Sequence, residues 1–234
     1  MIEAYTSTRI KPLLYPSAQV YDWGTTLAIA PYPDDQILGC GGSLALLRQM
    51  GYRVRTLFLG GGAQKVSALN STEANSAASL EEISLAAIAQ LGISEEASVC
   101  LRIRDGRFPH QNDPGFEESA RLVINEFEEL QPDTVLLPKL THDQPDLLAT
   151  WQILRNAIQR FASPLRVIEY VMLEQQLRGE TVTRPTVEHT VWRLDIKEVM
   201  DQKIEALQLF RKRTTLPVSP ADMQSWEVYV EYAK

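Results

Sequence analysis

The sequence predicts an α/β fold with a mostly parallel sheet, helices on both faces and a small mixed β element near the C-terminus. Between residues 25 and 161, short apolar runs alternate with segments of helical periodicity, which is the rhythm of βαβ units. Because crossovers between such strands are right-handed, they predict a parallel sheet. Two further apolar runs lie after residue 161 on either side of Gly179, which favours antiparallel or mixed pairing there.

The first elements form a βαβ unit. The apolar run TTLAIA is bounded by glycine and proline, as is typical of a buried strand. The glycine-rich stretch Gly39–Gly42 is predicted to turn the chain tightly into a helix, which Gly51 ends before the second strand begins. The strand, helix and strand are predicted at Thr25–Ala30, Ser43–Met50 and Val54–Leu59.

The remaining elements make the fold Rossmann-like. Residues 60–75 are predicted to form a loop at the carboxyl end of the second strand. Further helices are predicted at Ser76–Leu91, 116–130, Asp146–Phe161 and Ile196–Arg211, and further strands at Ser98–Ile103, Thr134–Leu137, Arg166–Leu173 and Val187–Leu194. We expect one domain over residues 25–234, preceded by an N-terminal arm of residues 1–24. This arm is expected to cover a sheet edge or to contact a second copy or a partner protein.

Composition excludes several classes of function. The net charge of −7 and the pI of about 5.1 argue against nucleic acid as a partner. Two cysteines in neither CxxC nor ligand-like spacing predict no disulfide framework and a reducing compartment. The sequence shows no signal-peptide pattern and no run of membrane-spanning length. We therefore expect a cytoplasmic protein without a membrane partner.

Several motifs then occur in a fixed order. Ile29–Gly42 reads IAPYPDDQILGCGG, and Gln144–Leu147 reads QPDL. Between and after them come Leu91-Gly92, Asp105-Gly106, QPDTVLLP at 131–138, and Asp195-Ile196 followed by Lys203 and Ala206-Leu207. Over about residues 25–213 this series resembles the LmbE/PIG-L family of zinc-dependent N-deacetylases. The first motif of that family is roughly A-H-P-D-D-E, and H-P-D-H stands at the position of QPDL.

The resemblance implies roles for individual positions. In the family, zinc is held by the His of the first motif, by the second Asp of that motif and by the last His of H-P-D-H. The first Asp is the general base, and the first His of H-P-D-H stabilises the oxyanion. In this sequence the three ligand positions are Tyr32, Asp35 and Leu147, the base is Asp34 and the oxyanion position is Gln144. Two of the three ligand positions therefore differ from the family pattern.

These differences weaken the expected metal site. A catalytic zinc ion normally has three Cys, His or carboxylate ligands and one open position for water. Leucine has no donor atom, and tyrosine must first lose a proton with a pKa of roughly 10. With Asp35 as the remaining ligand, we expect neither zinc nor another cofactor, and deacetylation through zinc-activated water should be lost.

The leading hypothesis is a metal-free pseudoenzyme that binds a small polar molecule, either sugar-like or amide-like. The predicted site residues are Tyr32, Asp34, Asp35, Gln36, Asp105, Lys139, Gln144 and Asp146. Lys139, or failing it Arg104, is expected to lie near the aspartates and to replace the charge of the metal, because adjacent carboxylates repel each other.

Three alternatives stay open. In the first, Asp34 and Asp35 serve only to cap a helix, since carboxylates are favourable at a helix N-terminus. In the second, the chain is a repurposed enzyme in which one of these aspartates acts as an acid or base without metal. In the third, it is a zinc N-deacetylase or amidohydrolase with displaced ligands, for which His110 and His142 are the available histidines.

Overall fold

The computed structural model describes residues 11–12, 22–60, 80–104, 106–140, 144–172, 189–211 and 225–232. In these ranges eight strands form one sheet, and five α-helices pack against it. The strands are β1 (Lys11–Pro12), β2 (Thr26–Ala30), β3 (Val54–Gly60), β4 (Ser98–Ile103), β5 (Thr134–Pro138), β6 (Arg166–Tyr170), β7 (His189–Asp195) and β8 (Trp226–Tyr232). The helices are α1 (Pro33–Gln49), α2 (Leu80–Gln90), α3 (Phe116–Leu130), α4 (Pro145–Arg160) and α5 (Met200–Arg211).

The strand order explains the mixed character of the sheet. It is β1-β7-β8-β6-β5-β2-β3-β4, and every pairing is parallel except those of β8. β8 runs antiparallel to both of its neighbours, β6 and β7. The prediction of a mostly parallel sheet with a mixed element near the C-terminus is therefore confirmed.

Two apolar layers cover the two faces of the sheet. Along β2, Leu27 and Ile29 pack with α3 and α4, whereas Ala28 packs on the opposite face with α1, α2 and α5. All five residues of β2 are buried, as are all five of β5. Strands that are buried on both faces appear as continuous apolar runs in the sequence, and this is why these strands could be predicted.

β2 lies at the point where the order of the sheet reverses. The chain continues from β2 to β3 on one side, and β5 is added later on the other side. In open α/β sheets, ligands bind outside the carboxyl ends of the strands at such a switch point. Here Tyr32 and the start of α1 follow β2, and Lys139 follows β5. The predicted site residues of these two segments thus lie at the topological switch point.

The glycine-rich turn predicted before Ser43 is wrong. Helix α1 already begins at Pro33 and includes the whole stretch Gly39–Gly42. A Cβ atom on Gly39 would lie 2.2 Å from Cδ2 of Tyr170, and one on Gly42 would lie 2.6 Å from Cδ1 of Ile196. These two glycines permit close approach between the helix and its neighbours, rather than a change of chain direction.

Three further predictions concern the N-terminal arm, the loop after β3 and the absence of a membrane-spanning segment. β1 pairs in parallel with β7 and forms one edge of the sheet, while the division into an arm and a domain stays a prediction. Of the predicted loop after β3, Gly60 is the last residue of that strand, and residues 61–75 lie outside the described residues. None of the described helices combines the length and the apolar character needed to cross a bilayer.

Candidate functional site

The start of α1 brings two carboxylates to the switch point. Tyr32 is the N-cap residue with extended backbone, and Pro33 occupies the first helical turn, where its missing N–H is tolerated. Asp34 is buried and Asp35 is half-buried, both in that first turn. The N-terminal end of the helix dipole stabilises negative charge there. This placement is compatible with capping and with ligand binding alike.

Tyr32 connects this helix start to α4. Its hydroxyl donates a hydrogen bond to Oδ2 of Asp146, in the first turn of α4. The same carboxylate accepts hydrogen bonds from the backbone N–H groups of Gly106 at 2.6 Å and Phe108 at 3.3 Å. The Tyr32 ring packs against Phe108 with the ring centroids 5.6 Å apart. Asp146 thus joins α1, α4 and the segment that follows β4.

The amide of Gln36 is engaged in the interior of the sheet. The residue is fully buried, and Nε2 donates to the carbonyl oxygens of Ala28 at 2.8 Å and Leu57 at 3.1 Å. Within the described residues, Oε1 has no hydrogen-bond partner. The amide nitrogen therefore links α1 to β2 and β3, and a role for Gln36 in ligand binding stays a prediction.

The other predicted site residues surround the end of β5 and the start of α4. Gln144 is exposed and precedes α4, whereas the side chain of Leu147 is buried within it. Lys139 is half-buried directly after β5, and its backbone N–H donates to the carbonyl of Tyr170 at 2.8 Å. Its proposed contact with the aspartates stays a prediction, as does that of Arg104, which is exposed.

Two residues named in the sequence analysis lie outside the described residues. They are Asp105, predicted to bind the ligand, and His142, one of the histidines available to a displaced metal site. His110 is half-buried in the segment after β4, where its backbone N–H donates to Oδ2 of Asp113 at 2.9 Å. In the described ranges, no three His, Cys, Asp or Glu side chains form a group that could hold a metal ion.

Sequence reasoning missed Tyr170, the last residue of β6, whose phenol is under the electrostatic influence of the paired aspartates. Its side chain is fully buried, and its hydroxyl donates to the carbonyl of Ile29 at 3.0 Å. Burial raises the pKa of this phenol well above its usual value, and the electrostatic influence of Cys40, Asp35 and Asp34 raises it further. The hydroxyl therefore stays protonated and remains a donor to β2.

Replacing Tyr32 with phenylalanine should lower the free energy of unfolding by about 1–3 kcal/mol, because a hydrogen bond to a carboxylate is lost. Urea denaturation of the wild type, Tyr32→Phe, Asp146→Asn and the double variant forms a double-mutant cycle. The two changes should be less than additive, since each one alone removes the same contact. Strict additivity would show that this hydrogen bond does not stabilise the fold.

Comparison with known families identifies the family of the chain. Residues 27–158, more than half of the chain, match the PIG-L family, described as GlcNAc-PI de-N-acetylase. The chain belongs to this LmbE/PIG-L family. No curated protein sequence matches the chain.

Solved structures of low sequence identity share the fold. The A40926 pseudoaglycone deacetylase Dbv21 is 19% identical with a TM-score of 0.70, and the match covers 91% of this chain and 98% of that one. The N,N'-diacetylchitobiose deacetylase from Pyrococcus horikoshii is 18% identical with a TM-score of 0.63, covering 86% and 75%. GalB, the 4-carboxy-2-hydroxymuconate hydratase from Pseudomonas putida KT2440, is 18% identical with a TM-score of 0.65, covering 90% and 96%.

Proposed function

We propose that this chain is a metal-free member of the LmbE/PIG-L family that binds a small polar molecule, sugar-like or amide-like, without deacetylating it. The observation that carries the proposal is the hydrogen bond from Tyr32 to Asp146. Tyr32 stands at the position where the family resemblance implies a zinc-binding histidine. Its hydroxyl is the hydrogen-bond donor to Asp146, and the phenol must be protonated to donate.

The donor set at the implied zinc position does not fit the ion. Coordination by Tyr32 would require loss of the phenolic proton and therefore of the hydrogen bond to Asp146. Leu147 is buried and carries no donor atom. Asp35 is the one implied ligand with a suitable oxygen, whereas catalytic zinc normally takes three protein ligands. We therefore derive no chemical step through a metal.

The proposed ligand class follows from the chemistry of the relatives and of the site. One solved relative is named as a deacetylase of N,N'-diacetylchitobiose, which is a sugar that carries amide groups. In this chain the exposed amide of Gln144 and the carboxylate of Asp35 stand at the switch point, where they can bind hydroxyl and amide groups. The cytoplasmic location and an oligomer or partner bound through the N-terminal arm are further parts of this proposal.

The test is a binding measurement with N-acetylglucosamine as the probe. We expect saturable binding by calorimetry or NMR titration, without release of acetate. Gln144→Ala should weaken binding by about tenfold, the upper range for loss of one hydrogen bond. Gln159→Ala is the matched control, because it removes an exposed amide from the far end of the same helix. Binding that is absent, or equally affected by both variants, would contradict the proposal.

A second candidate is a metal-independent enzyme that uses Asp34 or Asp35 as an acid or base. It is favoured by the burial of Asp34 in the first turn of α1, beside the half-buried Asp35. The same assay separates the two functions. Acetate release that persists in the presence of a chelator and disappears in Asp34→Asn would support the enzyme. Acetate release that requires zinc would instead support the third alternative, a deacetylase with displaced zinc ligands.

A further inference from the structure

A buried ion pair connects helix α5 and strand β8 to the middle of α1. Lys203 of α5 donates from Nζ to Oε1 of Glu227 of β8 at 2.6 Å, and the two side chains are 3% and 1% exposed. Removing two charges from water costs several kcal/mol per ion unless further hydrogen bonds satisfy them. The hydrogen bonds of this pair therefore show which groups offset the cost of its burial.

The carboxylate of Glu227 accepts hydrogen bonds from the backbone of α1. Its Oε1 accepts from the N–H of Gly42 at 2.7 Å, and its Oε2 accepts from the N–H of Ser43 at 2.9 Å. Oε2 also accepts from the hydroxyls of Ser43 at 2.5 Å and Tyr229 at 2.8 Å. Both oxygens of the buried carboxylate are thus fully engaged, mainly by the helix.

The ammonium group of Lys203 engages the same helix one turn earlier. Its Nζ donates to the carbonyl of Leu38 at 3.0 Å. In a regular α-helix the N–H of Gly42 would donate to this carbonyl, because the partners are four residues apart. The ion pair therefore contacts both a donor and an acceptor that are partners in a regular helix.

These contacts lie in the middle of α1, which is one continuous helix, between a first segment of residues 33–38 and a second segment of residues 43–49. The ammonium group contacts the last carbonyl of the first segment, and the carboxylate contacts the first N–H of the second. Between the segments, Gly39 packs against Tyr170 and Gly42 packs against Ile196. The first segment is therefore fixed at its end by Lys203 and beside that end by Tyr170.

We propose that Lys203 and Glu227 are positioning residues that hold the first segment of α1 in the orientation that directs Asp34 and Asp35 to the switch point. Both residues lie beyond residues 27–158, so in this proposal the C-terminal part of the chain positions a helix of the matched range. The significance of the aspartates rests on the proposed function, whereas the positioning itself does not require a ligand.

The experiment compares NMR signals of the site in the absence of ligand. The reporters are the carboxyl carbons of Asp34 and Asp35 and the amide exchange rates of residues 36–38. The variants are Lys203→Met/Glu227→Gln, which removes both charges, and Glu227→Gln alone, which keeps one acceptor oxygen of similar shape. The control is Arg166→Met. Arg166 donates to both carboxylate oxygens of Glu231, at 2.7 and 2.9 Å, and Glu231 lies on the same strand as Glu227.

In the double variant, we expect the carboxyl signals to shift and exchange at residues 36–38 to become about tenfold faster than exchange at residues 44–47, because the first segment opens locally. Glu227→Gln should show the same changes to at least the same degree, because the buried ammonium of Lys203 then has no carboxylate partner, and Arg166→Met should show neither. Wild-type carboxyl signals in a folded variant, or equal acceleration across the whole helix, would overturn the proposal. So would failure of both variants to fold, since the pair would then serve folding as a whole. Shifted signals in a protein that does not bind N-acetylglucosamine would overturn only the proposed function.

Discussion

Lys203→Met should lower the free energy of unfolding by about 3–5 kcal/mol, because it leaves the carboxylate of Glu227 buried without its cationic partner. Chemical denaturation near neutral pH, followed by tryptophan fluorescence and circular dichroism, measures this loss. The remaining donors to Glu227, from Gly42, Ser43 and Tyr229, are dipolar groups and do not neutralise the charge.

Two further proteins separate the charge effect from loss of packing. Arg166→Met removes a partly exposed ion pair between β6 and β8 and should cost about 1 kcal/mol or less. The double variant Lys203→Met/Glu227→Gln should be more stable than Lys203→Met alone, because no unpaired charge remains in the core. A Lys203→Met protein as stable as Arg166→Met would show that the buried pair contributes no more than a partly exposed one.

Gly39→Ala should destabilise the fold by about 1–3 kcal/mol through overpacking. The new Cβ would lie 2.2 Å from Cδ2 of Tyr170, so that either the ring or the helix would have to shift. Tyr170 is fully buried, and its hydroxyl is bonded to the carbonyl of Ile29. Thermal and urea denaturation measure the loss.

Gly41→Ala is the matched control, because it changes the same helix by the same methyl group. Its Cβ would meet no atom closer than 3.4 Å, the distance to Cγ2 of Ile37. Alanine is favoured over glycine in a helix interior by up to about 1 kcal/mol, so this variant should be neutral or stabilised. Equal effects at residues 39 and 41 would show that close packing against Tyr170 is not the reason for Gly39.

The fold could be predicted where burial leaves a simple pattern. β2 and β5 are buried on both faces and read as uninterrupted apolar runs. β8 was missed because its sequence, WEVYVEY, places Glu227 in the interior, where its charge is matched by Lys203 from another element. A buried charge breaks the alternation of apolar and polar residues on which strand prediction depends.

The start of α1 was misjudged for a related reason. Glycines usually mark turns, and the sequence around Gly39 gives no sign of a partner more than a hundred residues away. Close packing against Tyr170 is a tertiary requirement that local pattern does not encode. Pro33 is also compatible with a helix start, because the first turn needs no N–H from that residue.

The candidate site was predicted only in part. The family resemblance identified Tyr32, Asp34, Asp35 and Asp146, because these positions belong to short motifs with fixed spacing. The hydrogen bond between Tyr32 and Asp146 joins residues 114 positions apart, and no spacing rule predicts it. The interior placement of the Gln36 amide was not predicted either, because the sequence does not specify the direction of a side chain in the first turns of a helix.

The most direct test of the account is the effect of zinc on thermal stability, with and without the implied histidines restored. An ion that binds only the folded state at a hundredfold excess over its Kd stabilises that state by about 2.7 kcal/mol. We expect zinc to leave the Tm of the wild type unchanged. It should raise the Tm of Tyr32→His/Leu147→His, and the rise should disappear when Asp35→Asn is added. An Asp35-dependent rise in the Tm of the wild type would contradict the central claim that the chain has lost its metal site.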